Sequence, residues 1–416
     1  MTQTTKETRL LDHPPLFQKL PTRLAVHLAP TDMRATEAQL TAFRGFAQHG
    51  DPLADALVTE LQSLPAAEGR SKLEQAIEHG LASVEKPGPA LRAFSAAFET
   101  VPYWVDPQKL ELGANTLQRT GLVGAYGALV DVSLMGGYLS HRALKVLVRT
   151  GEIEAKAPRR IAETALWWMA VTDPSGLDRH ARGFKDTLRV RVIHAQIRAA
   201  MARREDWNYA AWDAPINQPQ MAGTQLLFSL VGILGLRVMG FRFTEKEIDA
   251  VVHLFRYVGH LMGVDTQLLP ASEADAWRLL WLVATTEFQP DEDSRRLAGA
   301  LCRALPPLHG IHGEDPTSRL LSWAVVGYHS SLSRLVFGDA NCDALGLPRR
   351  PVFSVFVVGA SAITFTIETL RKLIPGATAL SVRIGRWTRR IAIERLAPPL
   401  KPNTTYRREP MIVGRN

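Results

Sequence analysis

Arg160, Glu163 and Thr164 stand at i, i+3 and i+4 and lead directly into Ala165-Leu166-Trp167-Trp168. On a helix the three polar groups share one face. Entering a tryptophan-rich apolar run, they have the pattern of the few convergent polar groups that fix a ligand in a pocket. An intrahelical Arg–Glu pair on a solvated face has the same spacing. His194 follows 31 residues after Glu163, inside RVRVIHAQIR. Val190, Ile193, Ile197 and Met201 make one apolar helical stripe around it. A histidine in such a stripe satisfies its ring nitrogens by hydrogen bonding, or by ligating a metal through one of them while the other donates to a carbonyl or carboxylate.

Other constellations carry less. His309 and His312 have a metal-like spacing, but they sit in a Pro/Gly loop without an acidic partner at helical spacing. His253 and His260 share a helix face and read as packed or half-exposed histidines. Gly136-Gly137 and Gly232-x-x-Gly235 follow no strand and precede no GK[ST], so they are not phosphate loops. No G-x-S-x-G nucleophile context is present.

Further short pieces recur in a fixed order: Pro102-Tyr103-Trp104-Val105-Asp106, Thr150-Gly151, Arg160-x-x-x-Thr164, His194-Ala195-x-Ile197-Arg198, Pro215-Ile216-Asn217-Gln218, and Gly259-x-x-x-Gly263-Val264 closing on Leu269-Pro270. With these, the stretch from about Trp104 to Pro270 resembles the rubber oxygenase catalytic domain shared by latex clearing proteins and MpaB-type oxygenases. The resemblance implies a globin-like helical core with additional peripheral helices. It makes His194 the proximal iron ligand of a b-type haem and puts Arg160 and Thr164 on the distal side. Arg198, or alternatively Arg191, is then placed to neutralise a haem propionate.

The sequence departs from that family at two points. Latex clearing proteins carry a lysine where this chain has Glu163, and their upstream catalytic glutamate has no counterpart in RALKVLVRT. Glu163 is therefore expected to be ionised and paired with Arg160, acting as the distal base or merely holding the arginine. The implied activity is a haem-dependent, dioxygenase-type cleavage or oxygenation of a carbon–carbon double bond in a lipophilic substrate, isoprenoids included. The alternative is a haem-binding sensor or carrier without cleavage.

The elements that must position these residues are helical throughout, with no period-two alternation and no repeat. The expected organisation is an N-terminal helical cap over residues 1–100, an oxygenase core over 101–290, C-terminal helices over 291–380 and a basic tail over 381–416. Val352–Ile367 and Met221–Leu236 are interrupted by polar residues and read as buried core helices rather than bilayer spans. Cys302 and Cys342 lack metal or disulfide spacing and are expected as reduced thiols. Of the net charge of +8, residues 383–416 supply nine Lys/Arg against two acids. This terminus reads either as a contact for anionic lipid or as a solvated helix with a disordered PPLKPNTTYRREP tail. It is weak evidence for a nucleic-acid partner, and none is expected. The first residues, MTQTTKETRLLDHPP, show no apolar export signal, so a cytoplasmic, at most membrane-peripheral, location is expected.

Overall fold

Polar caps fix where the chain turns helical. Thr36, Asp51, Asp106, Asn217, Thr244, Asp291 and Asp315 each accept a backbone N–H from the first turn of the following helix, satisfying donors otherwise orphaned at a helix start. The computed structural model describes residues 9–150 and 153–396. Its principal helices are α1 (Glu37–Gly45), α2 (Pro52–Gln62), α3 (Ala66–His79), α4 (Pro89–Glu99), α5 (Pro107–Gln118), α6 (Gly121–Gly137), α7 (His141–Arg149), α8 (Ile153–Val171) and α9 (Arg182–Ala202). They continue as α10 (Gln218–Phe228), α11 (Leu230–Val238), α12 (Glu245–Leu261), α13 (Glu273–Thr286), α14 (Glu292–Leu308), α15 (Pro316–Ala344), α16 (Pro351–Leu373) and α17 (Ala377–Leu396). No strand occurs among the described residues, and the all-α expectation holds.

Two apolar clusters hold the bundle. One joins Leu57, Ile77 and Phe94 of α2–α4 to Trp168, Leu188 and Phe255 of α8, α9 and α12, so the N-terminal helices share the core of the central ones. The other gathers Leu226, Trp277, Trp281 and Leu301 from α10, α13 and α14. The buried Met221–Leu236 stretch is split at Ser229 (φ −103°, ψ −96°), whose hydroxyl donates to the Gln225 carbonyl at 2.8 Å. α6 contains a π-helical stretch, Gly127–Leu134, with Asp131 facing the interior.

Two expectations about the C-terminal part need correction. The Val352–Ile367 run is not a buried core helix. Its Phe353 and Val357 pack inward, but Val355, Phe356, Ile363 and Ile367 are exposed, because the residues it turns toward the protein include polar ones. The basic segment after Arg383 is not simply a solvated tail either: within α17, Arg389 is buried, donates to the Leu117 carbonyl and stacks its guanidinium over Trp168 at 4.7 Å. The PPLKPNTTYRREP segment lies outside the described residues.

Candidate active site

α8 and α9 lie side by side, tied by Trp167 Nε1 donating to Thr187 Oγ1 at 3.0 Å. His194 sits midway along α9. Part of its ring surface stays accessible, but Nδ1 is buried and has no hydrogen-bond partner among the described residues. Burial, with the charges of Arg198 and Arg160 adding to it, pushes the pKa of His194 down to about 4 against the pull of Asp51. The ring is therefore neutral across the physiological range, the form in which an imidazole ligates a metal. An unpartnered buried ring nitrogen on a neutral imidazole fits the donor a haem iron requires.

Arg160 lies close enough for its charge to act on both His194 and Tyr138. Thr164 Oγ1 donates to the Arg160 carbonyl at 2.8 Å, which leaves its oxygen free to accept but commits its proton. Glu163 does not pair with Arg160 as expected. Its carboxylate accepts from Arg159 Nε at 2.9 Å, with the Arg159 side chain half exposed. The i,i+4 partner at the solvent edge takes the carboxylate, because ionising there avoids the desolvation cost of a buried pair.

On the other side of α8, Ile161, Ala165, Trp168 and Met169 wall an apolar cleft with Leu122, Leu129 and Leu308. At about 100° per residue, Glu163 projects roughly 160° away from the Ala165 side of that wall. Thr164 and Arg160 lie between the two directions. A second apolar cavity, between the N-terminal segment and α11, is lined by Phe17, Leu28, Val231 and Phe337.

The arginines assigned to a haem propionate are committed elsewhere. Arg191 makes a two-pronged pair with Asp51, Nε–Oδ2 2.6 Å and Nη2–Oδ1 3.0 Å, with both side chains buried. Arg198 pairs with Asp55 at 2.8 Å and donates Nη1 to the Ile216 carbonyl at 3.0 Å. One turn before and one after His194, the two ion pairs bolt α9 to α2. Gly263 (φ +79°) makes this possible, since a Cβ there would stand 2.2 Å from Asp51 Oδ2. Gln218 of the PINQ piece completes the junction. Its Nε2 donates to the Gly50 and Gly263 carbonyls at 2.7 and 3.0 Å, and its Oε1 accepts from Asp265 N at 2.7 Å. Most of the short pieces after His194 are thus the joint that positions it. The PYWVD piece is likewise structural: Asp106 N donates to His253 Nε2 at 3.0 Å, and Trp104 packs edge-on against His253 and His260.

Two polar groups in the interior escaped the sequence reading. Glu287, 2 % exposed at the end of α13, accepts from Ser140 Oγ at 3.3 Å and has its pKa pushed up to about 7 by burial, Arg142 opposing and Asp213 adding. Asp131 accepts from His329 Nδ1 at 2.8 Å, and His329 Nε2 meets His309 Nε2 at 3.0 Å. Burial works against charge on the His329 ring, but the Asp131 carboxylate outweighs it and the His329 pKa is raised. His309 of the metal-like HGIH spacing therefore faces a histidine, and no metal-ligating cluster occurs among the described residues. Cys302 and Cys342 are free, as expected.

A family model described as "ER-bound oxygenase mpaB/B'/Rubber oxygenase, catalytic domain" matches residues 121–362. The chain belongs to this family. The match begins later than the resemblance at Trp104 and runs past Pro270 through about half of α16. The curated "Rubber oxygenase" of Streptomyces sp. (strain K30) is 24 % identical over 300 residues, covering 69 % of this chain and 66 % of that protein, just under two thirds of its length. A solved structure of latex clearing protein LCP in the closed state superposes with a TM-score of 0.61 at 18 % identity, covering 83 % of this chain and 91 % of that one. The helical fold is therefore shared with that protein.

Proposed function

We propose that this chain is a haem-dependent oxygenase acting on a carbon–carbon double bond of a lipophilic substrate, isoprenoids included. The observation that carries the reading is His194: a neutral imidazole with an unpartnered buried Nδ1, bracketed by two ion pairs and beside the helix that bears Arg160. A b-type haem bound there supplies the iron centre for dioxygen chemistry. His194 contributes the protein ligand and stays unprotonated at working pH. Arg160 holds a fixed cation near the reacting centre, where negative charge develops. Thr164 offers a hydroxyl oxygen as acceptor. An apolar cleft along Ile161, Ala165 and Trp168, on the side of α8 away from Glu163, gives this helix a hydrocarbon-lined wall.

The second reading, a haem-binding sensor or carrier, is favoured by one observation. Glu163 is turned to Arg159, which removes the carboxylate that the sequence offered as a distal base. Absorption spectra of the purified protein supplied with haem, together with oxygen uptake on squalene-like or terpenoid alkenes, separate the readings. The oxygenase reading expects a Soret band and uptake, with Arg160→Ala keeping the band and losing about one to three powers of ten in turnover. A Soret band without uptake selects the carrier, and no band rejects both.

A further inference from the structure

α16 carries its polarity on the inward side. The stripe it turns to the protein runs Phe353, Val357, Ser361, Thr364, Glu368 and Arg371, with both charged residues of the stripe buried. Glu368 accepts from Arg119 Nη1 at 2.6 Å and from Arg371 Nε at 3.0 Å. The opposite face is hydrocarbon: Val355, Phe356, Ile363, Ile367 and Leu373 are 60–73 % exposed. From residue 351 to 367 there is no charged side chain, about 25 Å of helix at 1.5 Å per residue.

The patch continues onto the flanking helices. Trp323 of α15, its ring 4.9 Å from Phe353, is exposed together with Leu320. Leu380, Ile384 and Trp387 form an exposed i, i+4, i+7 line on α17. A contiguous apolar surface of this extent marks an interaction site.

Three features select lipid as the occupant. Thr366 donates its hydroxyl to the Ala362 carbonyl of its own helix at 2.9 Å, so the face offers almost no free hydrogen bond. Specific protein interfaces carry about one per 100–200 Å², whereas hydrocarbon requires polar groups to be satisfied internally. Exposed Lys372, Arg383 and Arg386 border the patch, Arg390 is paired with Glu394 at 3.2 Å, and Glu368, turned inward, is the one acid between residues 344 and 393. That rim complements anionic headgroups. Trp323 and Trp387 lie at its edges, where amphipathic rings suit the headgroup level.

We propose that the face formed by α16, the first turns of α15 and the outer edge of α17 docks on a bilayer carrying anionic lipid, with α16 lying in the plane of the interface. α16 is held to the protein rather than released across the membrane. Arg119 grips Glu368, and Gly240 approaches so closely that a Cβ there would stand 2.1 Å from the Ser361 carbonyl oxygen. Ala392 of α17 also walls the apolar cleft, so one helix of the docked face helps enclose it. A supply of lipophilic substrate from the bilayer is a consequence that rests on the oxygenase reading.

Flotation of the full chain with phosphatidylcholine vesicles, with and without phosphatidylglycerol, tests the docking without reference to activity. The wild type should float with the anionic vesicles. Phe356→Asp combined with Ile363→Asp, both outward-facing, should keep the far-UV circular dichroism and melting temperature but lower the bound fraction by more than about tenfold. Lys372→Glu with Arg383→Glu should weaken binding and abolish the preference for phosphatidylglycerol. Equal flotation of the wild type and the Phe356/Ile363 variant overturns the proposal. So does a wild type that stays in the lipid-free fraction, whether as a monomer or as a dimer that the same two substitutions dissociate in sedimentation equilibrium.

Discussion

Replacing His194 by leucine should remove an acid-sensitive element from the fold. The native ring takes a proton only near pH 4, against 6.5 for an ordinary imidazole. The unfolded chain therefore binds a proton as pH falls through 6.5 while the native chain refuses it. A depressed histidine pKa places its contribution above about pH 6.5 and loses it on acidification toward 4. The gap between 6.5 and about 4 is worth about 3 kcal/mol when fully developed, of which about 2 kcal/mol is already missing near pH 5. Burial of Nδ1 is the chief cause, so the effect belongs to haem-free protein. The assay is urea denaturation of haem-free wild type and His194→Leu at pH 7.5 and pH 5. The wild type should lose about 2 kcal/mol more than the variant between the two conditions. Parallel losses would refute the claim that the native ring resists protonation. Reconstitution adds a separate readout, since a wild-type Soret band in His194→Leu would refute the ligand role and leave the acid result standing.

Arg191→Met leaves Asp51 buried without its partner and should cost about 3–5 kcal/mol, read as a lower urea midpoint; a loss below about 1 kcal/mol would mean water reaches Asp51 and the pair is not the bolt described. Glu287 has the opposite sign to His194: its raised pKa means the unfolded chain ionises first as pH rises from 4.5 to about 7. Stability should fall across that window, and Glu287→Gln should flatten the fall and gain up to about 3 kcal/mol at pH 8; an unchanged slope would show Glu287 ionised at no cost. Glu163→Gln removes an exposed i,i+4 pair and should cost less than about 0.5 kcal/mol while leaving the haem spectrum and turnover near wild type. A tenfold loss of turnover would return Glu163 to the chemistry.

What the sequence displays well is local. The apolar stripe around His194, the caps at Thr36 and Thr244, and the buried Trp167-Trp168 pair all follow from spacing along one helix, and each stands where the spacing puts it. What it hides is the identity of distant partners. Asp51 and Arg191 are 140 residues apart and Asp55 and Arg198 are 143 apart, so two basic residues flanking a histidine look available for a propionate when the fold has already paired them. Glu163 illustrates a second ambiguity: Arg159 at i−4 and Arg160 at i−3 are both reachable on a helix, and solvent access decides between them. In α16 the uncharged run reads as a buried core helix, and nothing local shows that its apolar face is turned away from the protein. Assuming that the apolar face goes inward fails there because Arg119, on a remote helix, needs Glu368.

The same geometry recasts the arginine of the HA-x-[VI]-R piece. Arg191 and Arg198 bracket His194 at i−3 and i+4, and their acids stand four apart on α2, where Asp51 also caps the helix by accepting Ala54 N at 3.2 Å. A pair of ion pairs spread along both helices resists sliding and rotation together, which a single pair cannot do. His194 is thereby fixed in depth and azimuth before any ligand arrives, as a site on rigid elements requires. The two buried arginines that bracket His194 thus serve it by immobilising its helix, and that role suits a guanidinium able to grip a carboxylate and still reach a carbonyl, as Arg198 reaches Ile216.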